Sequence, residues 1–175
     1  PGEENYMWFE ADVPGEYYGQ CAEYCGTSHA NMKFKVIAVP ENEFNAWLQT
    51  QAASAFESSD ALVQEGAGVF KSAGCTGCHA TKTVVNKGST GRVGPNLAHV
   101  ASRRDLAAGM LSNANENGIV NDALLQENLR TWLQDPNEVK PGNLMSSGAQ
   151  VYTDPDKKLS EEQISQLVHY LSSLK

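Results

Sequence analysis

Two short segments concentrate the residue types that bind metals. Cys75-Thr76-Gly77-Cys78-His79 has the form C-x-x-C-H. Two thiols on one turn can reach the two vinyl groups of a haem and form thioethers. The adjacent His79 then lies under the iron as the proximal ligand. The same spacing also serves zinc sites and redox dithiols. The second segment, Cys21 to Met32, has the form C-x-E-x-C-x3-H-x2-M. Thiolate, imidazole and thioether on one loop are soft donors that suit copper. Cys25 to Met32 alone would suit a one-copper blue site. With Cys21 added, two thiolates four residues apart can bridge two copper ions. An electron spread over two metals needs less reorganisation when it arrives or leaves. An all-thiolate zinc site from Cys21, Cys25, Cys75 and Cys78 would leave His29, Met32 and His79 unexplained.

These segments must be positioned by different elements. Around the first cysteine pair the chain reads as β structure. Tyr6-Met7-Trp8-Phe9 is aromatic-rich, Pro14-Gly15 signals a turn, and Tyr17-Tyr18 opens an extended segment. Lys33 to Val39 alternates and is β-branched, so a strand is predicted there, stopped by Pro40. A short helix with Phe44, Trp47 and Leu48 on one face follows. About three strands cannot close a sandwich, so this reads as the back half of a β domain. The region 49–60 has the Ala/Ser/Gln/Glu composition of a linker, with some helical continuation. Beyond it the pattern is helical: Leu62, Val63, Gly66, Val69, Phe70 and Ala73 share a face, and Gly74 ends that helix. Thr81 to Val93 reads as a surface loop. Arg104 to Leu111, containing Met110, and Asp122 to Leu133 are predicted helices. In the last helix Ser160 and Gln163 fit a capping box, and Ile164, Leu167, Val168, Leu171 and Leu174 form an apolar stripe.

The 175 residues carry 21 acidic and 13 basic side chains, a net charge of −8. That balance disfavours nucleic-acid binding, which needs a basic face. No stretch approaches the roughly 18 apolar residues of a membrane span, and no targeting signal is visible. Pro1-Gly2-Glu3-Glu4 reads as a cut edge or a mature start.

Further motifs support the haem. Gly94-Pro95-Asn96-Leu97 resembles the segment of class I cytochromes c whose Pro carbonyl orients the proximal His. Pro141-Gly142-Asn143-Leu144-Met145 resembles the distal-ligand loop of that family, although Ser146 stands where the family often has Pro. The resemblance implies Met145 as the distal ligand, ahead of Met110, whose helical setting reads as core packing. Gly66 and Phe70 facing Tyr170 and Leu171 resemble the family's contact between first and last helices. Trp132 could donate its indole N–H to a haem propionate or could simply be a buried aromatic.

The loop Pro14 to Met32 closely resembles the CuA loop of cytochrome c oxidase subunit II. That resemblance implies Cys21 and Cys25 as bridging ligands, His29 as a terminal ligand and Met32 as a weak axial one. Glu23 would offer its backbone carbonyl to copper and its carboxylate to a magnesium at the catalytic-subunit interface. The family's second His comes from an upstream strand. Residues 1–20 hold no His, and His99 and His169 read as surface or core-edge residues. The expectation is a site completed by a segment outside this sequence.

A CuA loop followed by a cytochrome c domain resembles subunit II of caa3-type cytochrome c oxidases. The implied fold is mixed and two-domain. Residues 1–50 would be the C-terminal part of an all-β cupredoxin-like CuA domain, 51–60 a linker, and 61–175 an all-α class I cytochrome c domain. The implied cofactors are covalent haem c, binuclear copper and magnesium. The implied role is electron input. A donor such as soluble cytochrome c would reduce the haem, the haem would reduce the copper, and catalytic subunit I would reduce oxygen. The linker would replace collision by a tethered encounter at an effective concentration on the order of millimolar. The other oxidase subunits, or an N-terminal portion, would supply the membrane attachment, and these domains would face the extracytoplasmic side. A nitrous or nitric oxide reductase component and a plain c-type electron carrier are the alternatives. Glu23 favours the oxidase over nitrous oxide reductase.

Overall fold

The computed structural model describes residues 6–53, 58–82 and 93–175. The first part is one antiparallel hairpin. Strand β1 (Gly15–Gln20) pairs with β2 (Lys33–Ala38), with Gly15 opposite Ala38 and Gln20 opposite Lys33. The twelve residues between them form the loop with the first cysteines, closed at its base by Cys21 N–H donating to the Met32 carbonyl at 2.9 Å. The strand predicted over Lys33 to Val39 forms, but its burial does not alternate with residue type: Phe34 and Ile37 are exposed while Lys35 is half-buried. The strand anticipated at Tyr6 to Phe9 is not formed. These residues carry no regular structure, and Tyr6, Met7 and Trp8 are largely exposed, so neither face of the segment is buried. Pro40 ends β2 and starts α1 (Glu41–Ala52), on which the rings of Phe44 and Trp47 have centroids 5.7 Å apart and planes tilted by 36°. Helix α1 runs into the expected linker; residues 54–57 lie outside the described residues.

Helix α2 (Ala61–Ser72) starts where the Asp60 carboxylate accepts from Leu62 N–H at 2.9 Å, and it stops at Gly74, whose φ of 79° allows the turn. Beyond the second cysteine pair, most of the loop expected over Thr81 to Val93 (83–92) lies outside the described residues.

The helix expected over Arg104 to Leu111 is instead a small hairpin. Strand β3 (Asp105–Leu106) pairs with β4 (Leu111–Ser112), and Ala107, Ala108 and Gly109 all have positive φ, so the chain reverses there. Leu106, Met110 and Leu111 mimic helical spacing, but tertiary bonds decide the matter. Ala108 offers its carbonyl to Lys33 N–H at 3.1 Å, and Asn113, wholly buried, ties the Arg103 carbonyl to Asn128. Met110 therefore lies in a turn, not in a helix.

Helix α3 (Asp122–Gln134) is capped by Asn121, as expected of the 122–133 pattern. Short helices α4 (Pro136–Val139), α5 (Leu144–Gly148) and α6 (Gln150–Thr153) follow, each a single turn or little more. Helix α7 (Glu161–Ser173) begins with both halves of the capping box, Ser160 accepting from Gln163 N–H and Gln163 reaching back to Ser160 N–H.

The core joins Phe70, Val100, Leu125, Leu129, Leu133 and the α7 stripe. Helices α2 and α7 cross at Gly66. A Cβ there would lie 2.1 Å from the Gln166 carbonyl oxygen, so only glycine permits this approach. One turn on, Phe70 meets Tyr170 with ring centroids 5.5 Å apart.

Candidate metal and haem sites

In the first loop, the ligating atoms of Cys21, Cys25 and His29 lie within 4.8 Å of one another. His29 Nδ1 is 3.6 Å from Cys25 Sγ, and Met32 Sδ is 3.4 Å from the same sulfur. Cys21 Sγ sits 3.1 Å from the Glu23 carbonyl. The geometry is local in origin. Gly26, at φ 123°, turns the chain so that His29 N–H reaches the Gly26 carbonyl, and a 3-10 turn (His29–Asn31) carries His29 back over the cysteines. The Cys25 thiol is pushed above its ordinary range, first by its hydrogen bond with Cys21 and then by burial. Two adjacent thiols resist ionising together, and a metal that replaces their protons removes that conflict. Two thiolates, an imidazole and a thioether form a soft donor set that fits copper. The Glu23 carboxylate is exposed and stands outside this group. Cys75 and Cys78 are likewise outside it, which argues against a four-thiolate zinc site. His169 is exposed on α7. Both ring nitrogens of His99 are buried, with no hydrogen-bond partner among the described residues.

The second site is built at the end of α2. A 3-10 turn (Cys75–Gly77) brings Cys78 N–H and His79 N–H onto the Cys75 carbonyl at 3.1 and 2.9 Å. Both thiols and the His backbone are thus held on one turn, and no cysteine is in a disulfide. Burial raises the Cys75 thiol, so this sulfur is set up as a neutral group. His79 Nδ1 lies 2.8 Å from the Pro95 carbonyl. A carbonyl only accepts, so Nδ1 carries the proton and Nε2 keeps its lone pair for a metal. Gly94 lies close against the ring, where a Cβ would come within 2.4 Å of His79 Cε1.

Arg103, which spacing alone did not single out, steadies this loop by bonding the Asn96 carbonyl; burial lowers its pKa. Asn96 in turn bonds the Lys82 carbonyl at 3.1 Å and caps Ala98 N–H at 2.8 Å. Met145, Leu97 and Cys75 all pack against the core, so both the thioether and the first thiol are anchored to it. The Met145 loop is stapled by Asn143. Its amide donates to the Pro136 and Lys140 carbonyls, both at 2.8 Å, and its oxygen accepts from Ser146 N–H at 2.8 Å. Ser146, which departs from the pattern, thus supplies an N–H that a proline could not. Trp132 is half-buried on α3 beside Leu133. Cysteines on one turn, an oriented imidazole and a core-anchored thioether fit a covalently held haem.

Residues 63–175 match the family Cytochrome c, and residues 1–39 match Cytochrome C oxidase subunit II, periplasmic domain. The chain is 40% identical to cytochrome c oxidase subunit 2 of Alkalihalophilus pseudofirmus over 100% of its length and 44% of that protein. It is 40% identical to cytochrome c oxidase subunit 2 of Bacillus sp. strain PS3, over 98% of the chain and 45% of that protein. To cytochrome c oxidase subunit 2 of Bacillus subtilis it is 34% identical, over 91% and 39%. The chain thus spans under half the length of these relatives. The expected order, an oxidase copper-loop segment followed by a haem domain, is borne out. The chain belongs to the cytochrome c family, joined at its N-terminal side to a segment of the subunit II periplasmic domain of cytochrome c oxidase.

Proposed function

We propose that this chain is the electron-input part of a haem–copper terminal oxidase. Its division would be 1–50 as the copper domain segment, 51–60 as linker and 61–175 as the haem domain. Cys75 and Cys78 would hold a haem c covalently, His79 and Met145 would ligate its iron, Pro95 would orient the imidazole, and Trp132 would donate to a propionate. Cys21, Cys25, His29, Met32 and the Glu23 carbonyl hold a binuclear CuA centre, completed by a His from outside this sequence. When bound, the two groups supply one-electron exchange from a donor such as cytochrome c towards the oxygen-reducing catalytic subunit. The protein fixes ligands and excludes water. The exposed Glu23 carboxylate is free to meet a magnesium shared with the catalytic subunit. Among the described residues no helix is long and apolar enough to cross a membrane. Attachment would come from partner subunits or a further segment, with these domains on the extracytoplasmic side.

The observation that carries this reading is the convergence of Cys21, Cys25 and His29 in a chain that also carries the oriented C-x-x-C-H turn. Absorption and EPR spectra with metal analysis of the purified assembly test it. Low-spin His/Met haem c with mixed-valence copper is expected. Haem without copper would leave a plain c-type electron carrier, and zinc or a disulfide at Cys21 and Cys25 would overturn the copper assignment.

A further inference from the structure

The copper hairpin and the haem unit meet through two sets of contacts that bind no metal. The first is a row of alternating charges. Arg104 bonds the Glu16 carboxylate; Lys35 Nζ lies 3.7 Å from Glu16 and 2.8 Å from Asp105. Glu16 and Lys35 come from β1 and β2, Arg104 and Asp105 from the start of the small hairpin. Their side chains are only 18% to 35% exposed, so solvent and salt screen them incompletely. Alongside, Lys33 N–H donates to the Ala108 carbonyl at 3.1 Å, extending the contact through the backbone. The second set lies at the metal loop. Ser28 Oγ–H donates to the Pro141 carbonyl, and Thr27 packs over Gly142, where a Cβ would come within 3.0 Å of Thr27 Cβ. His29 follows Ser28 directly, and Met145 lies four residues after Pro141.

A linker alone would leave the haem unit to find the copper loop by diffusion. These contacts do something else. We propose that the Arg104–Glu16–Lys35–Asp105 network clamps the haem unit onto the copper hairpin, holding the Ser28–Pro141 hydrogen bond as a fixed bridge between the Met145 loop and His29. This rests on the electron-transfer function proposed above. With haem and copper bound, this hydrogen bond would offer a covalent and hydrogen-bonded path for one electron, with no proton moved and no bond broken. Electron tunnelling weakens steeply across gaps through space, so a preset hydrogen bond between ligand loops favours one route. The clamp residues are positioning residues. They touch neither metal.

The test uses the complete oxidase with Glu16→Arg, Arg104→Glu, both together, and Ser28→Ala. Haem absorbance, haem midpoint potential and copper EPR signal report that each variant is loaded and unchanged at its metals. Amide hydrogen exchange over 104–118 and 137–143 reports the clamp. The rate of haem-to-copper transfer after flash reduction reports the bridge. Each single charge reversal is expected to raise exchange in both segments and slow transfer roughly tenfold, as when a partly buried ion pair is broken. The double reversal re-forms the pair between positions 16 and 104 but sets a guanidinium beside Lys35, so it is expected to restore both in part. Ser28→Ala should slow transfer several-fold with exchange protection intact. Single reversals that leave exchange and rate at wild-type values, or a double reversal that restores neither, would overturn the clamp. An unchanged rate in Ser28→Ala would overturn the bridge. If the unmodified enzyme moved no electron from haem to copper while exchange still followed the charge reversals, the clamp would stand and the electron-transfer reading would fall.

Discussion

The copper hairpin and the haem unit reach chemical precision by opposite means. Every buried apolar side chain among the described residues lies from Phe70 onward. The residues proposed to hold the haem take their positions from that core: Cys75 and Met145 lean directly on it, as does Leu97. The hairpin has no core of its own here. Tyr18, Phe34 and Trp47 are more than half exposed, and its loop is shaped by backbone bonds, one positive-φ glycine and the contacts with the haem unit. A two-stranded ribbon is marginal alone. The difference teaches that a short ligand loop can be geometrically defined without being thermodynamically self-sufficient.

That contrast can be broken by mutation, most strongly in the core. Leu167→Ala removes a side chain with no exposure and is expected to cost about 2–5 kcal/mol, read by chemical denaturation of the haem-loaded chain. Gly66→Ala forces apart α2 and α7 and should cost about 1–3 kcal/mol, with loss of Phe70–Tyr170 contact visible in near-UV circular dichroism. Ser160→Ala removes the capping hydroxyl of α7 and is expected to cost about 1 kcal/mol in the same assay. At the hairpin, Phe34→Ala should change stability by no more than about 0.5 kcal/mol. A loss as large as that of Leu167 would mean the hairpin is held by packing after all.

A pH series sharpens the comparison at the seam. The hydrogen bond that the Lys35 ammonium donates to Asp105 raises the Lys35 pKa, against a smaller opposing effect of burial. A raised pKa in the folded state means that the ammonium form favours folding. The contribution is therefore complete below the ordinary lysine range and fades as pH climbs through the raised value. Amide exchange at 104–118 should stay slow at neutral pH and quicken only in strongly alkaline solution. Loss of protection near neutrality would show that Lys35 is not what holds the seam.

Much of the haem unit was legible in order along the chain. C-x-x-C-H, the Pro95 loop, the Gly66 face and the α7 stripe each depend on local spacing, and each is found as expected in the fold. The small hairpin was not legible. Ala107 and Ala108 are good helix formers, and nothing in their types announces φ of 53° and 58°. Their conformation answers to Lys33 and Lys35, more than seventy positions earlier. The Glu16–Arg104 pair spans 88 residues, beyond any periodicity argument. The aromatic run at Tyr6 to Phe9 failed for the converse reason. Its composition suits a strand, but a strand exists only where a neighbour pairs with it.

The staple at Asn143 makes the seat of Met145, the distal ligand proposed above, depend on the two hydrogens of one side-chain amide. A carboxylate of the same shape would present only acceptors to the Pro136 and Lys140 oxygens. Repulsion would then replace two bonds, and the sulfur of Met145 would sit on a strap that no longer buckles. Such an exchange would alter neither chain length nor side-chain volume, yet it would loosen the loop that carries the proposed ligand Met145.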